Sequence, residues 1–194
     1  MTPVVLTVSS AAAALVLALA ATVSARAQDV VAKAMLCDAC HGENGIPSDP
    51  TMPVIWGQHQ SYLVRQIGQF KLGNRTNEPM LALVRDMPDA EITALAEHYA
   101  QKPWPKLNQP SASEAETKRA QAAIVTGQCV ACHGILGRGD GLNPRIAGQS
   151  RSYILKTLQE FKSKARGTNP WMTDVLAPLA PDDLDALAVF MAGR

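Results

Sequence analysis

Cysteine is scarce in this 194-residue chain: there are four, and all fall in two short segments, so none remains for a structural disulfide. Aromatic residues are also few, three each of Phe, Trp and Tyr. Two small domains with so few large side chains would have thin cores unless something other than protein filled them. An excess of charge is missing too. The formal net charge is +1, which gives no electrostatic footprint for nucleic acid. No segment alternates apolar and polar residues as a half-buried strand would, so a β fold is not expected.

One long apolar run is present, and it stands at the N-terminus. "VVLTVSSAAAALVLALAATV" (4–23) is followed by Ala25-Arg26-Ala27. That pattern reads as a secretory h-region with an A-x-A cleavage site before Gln28. The n-region carries no Lys or Arg; an uncleaved membrane anchor is the alternative, since about 20 apolar residues can span a bilayer. The Ala, Ser and Thr content and the cleavage pattern favour removal, so residues 1–27 are read as a signal peptide and the mature protein as exported. The rest of the chain then has 17 basic and 17 acidic residues.

The cysteines lie in "CDACHG" (37–42) and "CVACHG" (129–134). Aligning the two carries the flanking sequence into register at an offset of 91 or 92. "PVIWGQ" (53–58) meets "PRIAGQ" (144–149), and "SYLVRQIGQFK" (61–71) meets "SYILKTLQEFK" (152–162). "RTNEPM" (75–80) meets "RGTNPWM" (166–172) with one insertion, and "MPDAEITALAEHYA" (87–100) meets "LAPDDLDALAVFMA" (179–192). The period is too long for a solenoid and indicates a duplicated small domain. A first domain is expected over 28–102 and a second over 113–194. The joint is "QKPWPKLNQPSASE" (101–114), with three prolines and no apolar periodicity, giving a linker over 103–112. Ser113-Glu114-Ala115-Glu116 has capping-box form, so a helix is expected from there towards Cys129.

Both units read as all-α. Tyr62, Ile67 and Phe70 are spaced for one helical face, and Tyr153, Leu158 and Phe161 repeat them. Ile92, Leu95, Ala96 and Tyr99 form an i, i+3, i+4, i+7 stripe that Leu184, Leu187, Ala188 and Met191 copy. Asp89, Asp182 and Asp183 sit near helix starts, where acidic residues suit the dipole.

Three chemistries compete for CxxCH. A redox dithiol belongs in a βαβ setting, which is absent here. Zinc could use two CxxC pairs but does not explain the histidine that follows each. Covalent haem explains the whole motif: Cys37 and Cys40, or Cys129 and Cys132, bond to one porphyrin, and His41 or His133 reaches its iron. Two haem c groups would also supply the missing core.

The sixth ligand follows by elimination, because His and Met are the usual partners across the iron. The remaining histidines, His59 and His98, lie in the first unit; Ser150 and Phe190 replace them in the second. After His133 only Met172 and Met191 remain, and Met191 belongs to the apolar stripe. Met172 lies 39 residues beyond His133, and Met80 lies 39 beyond His41. The match selects Met80 over Met52 and Met87. Iron with six ligands leaves no open position for substrate, which favours electron transfer over catalysis, and thioether ligation favours the ferrous state.

As a set, CxxCHG, PxIxGQ, the "RTNEPM" segment and a closing amphipathic helix resemble class I c-type cytochromes, and the tandem arrangement resembles the dihaem cytochrome c4 family. The resemblance runs from about 30 to 194. It implies two packed helical haem domains that carry electrons in the periplasm between redox proteins. Such partners would be a bc1-type complex and a terminal oxidase, or a dehydrogenase subunit. It also implies that the Pro53 and Pro144 carbonyls accept from the histidine ligands. Tyr62 and Tyr153, with Arg75 and Arg166, would border the haems and their propionates. A cytochrome subunit of a flavoprotein or molybdoenzyme complex would use the same motifs. Residues 28–102 carry 6 basic and 9 acidic groups, net −3, and 103–194 carry 11 and 8, net +3. That asymmetry would orient the molecule between partners.

Overall fold

The computed structural model describes residues 29–194, so the leader expected over 1–27 lies outside them. Among the described residues there are helices and no strand; the one β-type pairing is an isolated bridge between Asp140 and Asn143. Helix α1 covers 29–41, followed by α2 (Gln60–Lys71), α3 (Glu78–Val84) and α4 (Asp89–Ala100). The second set is α5 (Glu114–Thr126), α6 (Val130–His133), α7 (Arg151–Lys162), α8 (Pro170–Leu176) and α9 (Pro181–Ala192).

The expected stripes form the cores. Leu95, Ala96 and Tyr99 of α4 pack with Ala34 of α1 and Leu63 of α2. Leu184, Leu187, Ala188 and Met191 of α9 are all buried, against α5 and α7. Tyr99 ties α1 to α4: its hydroxyl donates to Ala34 O at 2.9 Å and lies 3.0 Å from Asp38 Oδ1. Burial pushes its phenol far above the ordinary range.

Matched residues make matched contacts. Lys71 ends α2 and donates to Met87 O at 2.9 Å; Lys162 ends α7 and donates to Ala177 O at 2.9 Å. Each lysine thus satisfies a carbonyl in the turn after the short helix, where no helical partner is available. The capping box expected at α5 is formed: Ser113 Oγ accepts from Glu116 N–H, and Glu116 Oε2 accepts from Ser113 N–H at 2.8 Å.

Two expectations need correction. The buried face of α2 is Leu63, Gln66 and Phe70, with Tyr62 and Ile67 only half-buried. Tyr62 is turned towards Tyr153 and Arg166 of the second unit, so its register serves the contact between units rather than its own core. The helix from Glu114 stops at Thr126, and Cys129 caps a separate turn, α6. Gln128 there adopts a left-handed φ of 49°, which breaks the helical path, whereas α1 runs unbroken through Cys37, Cys40 and His41.

The segment joining the sets has no regular structure from 103 to 113 but is bound along its length. Arg145 stacks on Trp104 with its guanidinium carbon 4.4 Å from the ring centroid. Gln109 Nε2 donates to Gln149 O at 2.9 Å, and its Oε1 accepts from Arg151 N–H at 2.7 Å. The repeated Gly-Gln pair lies under this strap. Gly57 and Gly148 have φ of 67° and 75°, and their N–H groups donate to Tyr99 O and Met191 O, both at 2.8 Å. A Cβ on Gly148 would stand 3.0 Å from Trp104 Nε1, so glycine is required for both conformation and space.

Candidate haem sites

His41 closes α1 and His133 closes α6, and each is 8% exposed. His41 Nδ1 donates to Pro53 O at 2.9 Å, and His133 Nδ1 donates to Pro144 O at 2.9 Å. A carbonyl can only accept, so the proton sits on Nδ1 and leaves Nε2 as the free lone pair. Burial holds both imidazoles neutral, outweighing the carbonyl bond that favours the charged form. A neutral ring whose other nitrogen is oriented by a carbonyl is the form in which histidine binds a metal.

Cys37 and Cys129 are half-buried, Cys40 and Cys132 are exposed, and none of the four is in a disulfide. Burial raises the Cys37 and Cys129 thiols above their ordinary value. Among the described residues no group of three or more His, Cys, Asp or Glu side chains stands close enough to hold a metal.

Met80 and Met172 occupy the same place, the third residue of the short helices α3 and α8. Asn77 Oδ1 accepts from Met80 N–H at 3.0 Å, and Asn169 O accepts from Met172 N–H at 3.2 Å. Both side chains are half-buried. His59 is engaged elsewhere, with Nε2 2.8 Å from Arg138 O across the boundary between the units.

The expected pairs Tyr62 with Arg75 and Tyr153 with Arg166 meet each other at that boundary. Arg75 stacks on Phe70 and Arg166 on Phe161, each 4.5 Å from the ring centroid. Arg75 Nη2 then donates to Tyr153 OH at 3.0 Å, and Arg166 Nη2 donates to Gln66 Oε1 at 2.5 Å. Burial pushes the Tyr62 phenol up. Tyr153 feels the same burial, but the Arg75 and Arg166 guanidiniums outweigh it and pull its phenol down.

Several features fit a large, flat apolar group with acidic substituents. Arg166 is 4% exposed, yet its Nε and Nη1 have no hydrogen-bond partner among the described residues; the same is true of Trp56 Nε1. A buried guanidinium without an anion is costly, and a haem carries two propionates. Met35, Leu36 and Ile46 around the first CxxCH, with Val130, Ile135 and Leu136 around the second, are exposed apolar side chains. Sequence reasoning missed Gln58, Gln149 and Gln66, which bridge the units; retention of Gly-Gln in both repeats was the signal for Gln58 and Gln149, whereas Gln66, matched by Thr157, had none.

The comparisons follow this geometry. The family model described as Cytochrome c matches residues 117–193. The cytochrome c4 of Azotobacter vinelandii is 30% identical over 179 residues, covering 83% of this chain and 85% of that protein. The chain belongs to the cytochrome c4 family. A Thiomonas intermedia protein named thiosulfate dehydrogenase electron acceptor is 30% identical, covering 84% of this chain and 80% of its own. A crystal structure of reduced cytochrome c4 from Pseudomonas stutzeri superposes with a TM-score of 0.76 at 25% identity, covering 86% of this chain and 97% of the other. Membership makes the fold two tandem class I cytochrome c units and the activity electron transfer rather than catalysis. It also makes the cofactor covalently bound haem c, with one cysteine pair in each unit. Among the described residues no helix is long and apolar enough to cross a membrane.

Proposed function

We propose that this cytochrome is a periplasmic dihaem carrier in which His41 and Met80 would hold one iron and His133 and Met172 the other. The domains run over 28–102 and 113–194, with 103–112 as the strap between them, and 1–27 is the export signal. The observation that carries the ligand reading is the repetition of one geometry. In both units a buried histidine donates through Nδ1 to a prolyl carbonyl at 2.9 Å, and a methionine stands at the third position of a short helix. The engagement of His59 with Arg138 O supports Met80 over histidine in the first unit.

Haem supplies a one-electron ferrous–ferric couple; the protein's task is to hold it, exclude water and set its potential. Cys37 and Cys40, with Cys129 and Cys132, anchor it covalently, so exchange of the group cannot accompany a change of iron state. Half-buried Arg75 and buried Arg166, seated on Phe70 and Phe161, would offset the charge of the propionates. Thioether ligation by Met80 and Met172 would make both couples high-potential relative to bis-histidine sites.

The partners are a redox donor and acceptor, such as a bc1-type complex and a terminal oxidase. A second reading has a dehydrogenase as donor, and the Thiomonas intermedia relative's name favours one that oxidises a reduced sulfur compound. Optical and redox titration of the holoprotein tests the assignment. Two haems per chain and a far-red sulfur-to-iron band are expected, and Met172→Ala should remove about half of that band. An unchanged band at full two-haem intensity would refute Met172 as a ligand.

A further inference from the structure

The two glutamines of the repeated Gly-Gln pair cross between the units. Gln58 and Gln149 are each 3% exposed. Arg145 N–H donates to Gln58 Oε1 at 2.9 Å, and Gln58 Nε2 donates to Arg145 O at 3.0 Å. In the mirrored contact, Val54 N–H donates to Gln149 Oε1 at 2.8 Å, and Gln149 Nε2 donates to Val54 O at 2.9 Å. Each amide is steadied by its own chain, through His59 N–H to Gln58 Oε1 at 3.1 Å and Ser150 N–H to Gln149 Oε1 at 2.9 Å.

The peptide groups so engaged are the ones that bind the histidines. The Pro144–Arg145 peptide offers its C=O to His133 and its N–H to Gln58. The Pro53–Val54 peptide offers its C=O to His41 and its N–H to Gln149. One planar unit is therefore hydrogen-bonded at both ends, to a histidine of its own domain and a glutamine of the other. Bonds in such a chain polarise one another: an N–H that donates makes its C=O a stronger acceptor.

We propose that Gln58 and Gln149 are positioning residues, each setting the basicity of the histidine ligand in the opposite unit. A stronger acceptor at Pro144 draws the Nδ1 proton of His133 outward and leaves more negative charge on the imidazole. A more basic ligand favours ferric iron. Gln58 thus lowers the potential of the haem held by Cys129 and Cys132, and Gln149 lowers that of the haem held by Cys37 and Cys40. Docking of the two domains becomes part of the tuning of each iron. The inference rests on the axial role proposed for His41 and His133.

The test is a potentiometric titration of the holoprotein, with the two haems told apart by their hyperfine-shifted methyl signals in NMR. Gln58→Ala should raise the potential of the second-unit haem, increasing its ferrous-to-ferric ratio at a fixed applied potential about threefold, and move the first-unit haem less. Gln149→Ala should do the reverse. The ring Nδ1–H resonance of the opposite histidine should shift with it. Gln58→Asn keeps an amide in the pocket and serves if Gln58→Ala does not fold; it must move the same haem in the same direction. His59→Ala breaks another bond across the boundary and should leave both potentials near wild type. The proposal is overturned if neither potential moves, if both move equally, if the larger shift falls on the variant's own haem, or if His59→Ala reproduces it. Failure of the ligand assignment itself would show separately, as an unchanged sulfur-to-iron band in Met172→Ala.

Discussion

Tyr99 is a single phenol on which the seating of α1 against α4 depends. Its hydroxyl meets Ala34 O and Asp38 Oδ1 inside the first unit. Tyr99→Phe keeps the ring and removes those bonds, so a loss of about 1–2 kcal/mol is expected in denaturant unfolding. The sequence placed Tyr99 in the core through its spacing but gave no sign of the polar partner, because Ala34 contributes a backbone atom that no side-chain pattern reveals. The same limit applies to the histidines. CxxCH names His41 and His133 directly, whereas their carbonyl partners at Pro53 and Pro144 came only through resemblance. Gln58 and Gln149 stood in the aligned segments without a role, since their bonds also run to backbone atoms, and in the other half of the chain.

At the scale of the element, the second unit's helix starts are tuned by acid side chains. Asp183, at the third position of α9, accepts from Ala180 N–H at 2.8 Å and from Arg119 Nε of α5 at 2.8 Å. Those bonds, the backbone one first, hold its carboxyl below the ordinary 3.8. A carboxyl depressed in the fold stabilises while ionised. Its contribution is complete above its unfolded pKa near 3.8 and disappears as pH falls through the lower folded value. Asp183→Asn should cost less than about 1 kcal/mol at pH 7 and flatten the loss of thermal stability as pH falls below the ordinary 3.8. Thermal melts across that range would check it, and an unaltered pH slope would contradict it. Gly148→Ala should destabilise by about 1–2 kcal/mol and disturb Trp104, measurable as a change in tryptophan emission. The helices themselves were legible wherever an apolar stripe met a core of its own unit, as at Leu95 and Leu187. They were misread where a face served the neighbouring unit, as at Tyr62. The break at Gln128 was missed because a left-handed glutamine has no marker in the residue type.

For the whole molecule, the halves differ in charge, net −3 over 28–102 and +3 over 103–194 before the propionates are added. Electron-transfer rates with a charged protein partner should therefore fall as salt rises, most steeply below about 0.1 M, where the Debye length is about 10 Å or more. Stopped-flow rates that do not respond to ionic strength would remove the orienting role of that asymmetry. Duplication was plain in the sequence, but the arrangement of the two copies was not, because much of their contact is made by polar side chains and backbone carbonyls that no apolar periodicity marks. That contact has a symmetry of its own. Gln58 meets Arg145 as Gln149 meets Val54, with residues from equivalent segments exchanged between the copies. An exchange of this kind is the isologous interface of a two-fold dimer, written into one polypeptide. Two free single-haem chains could close the same bonds only at a concentration that favours the pair. The strap through Trp104 and Gln109 replaces that requirement with an effective concentration fixed by its length. Dilution in the cell therefore cannot separate the two irons.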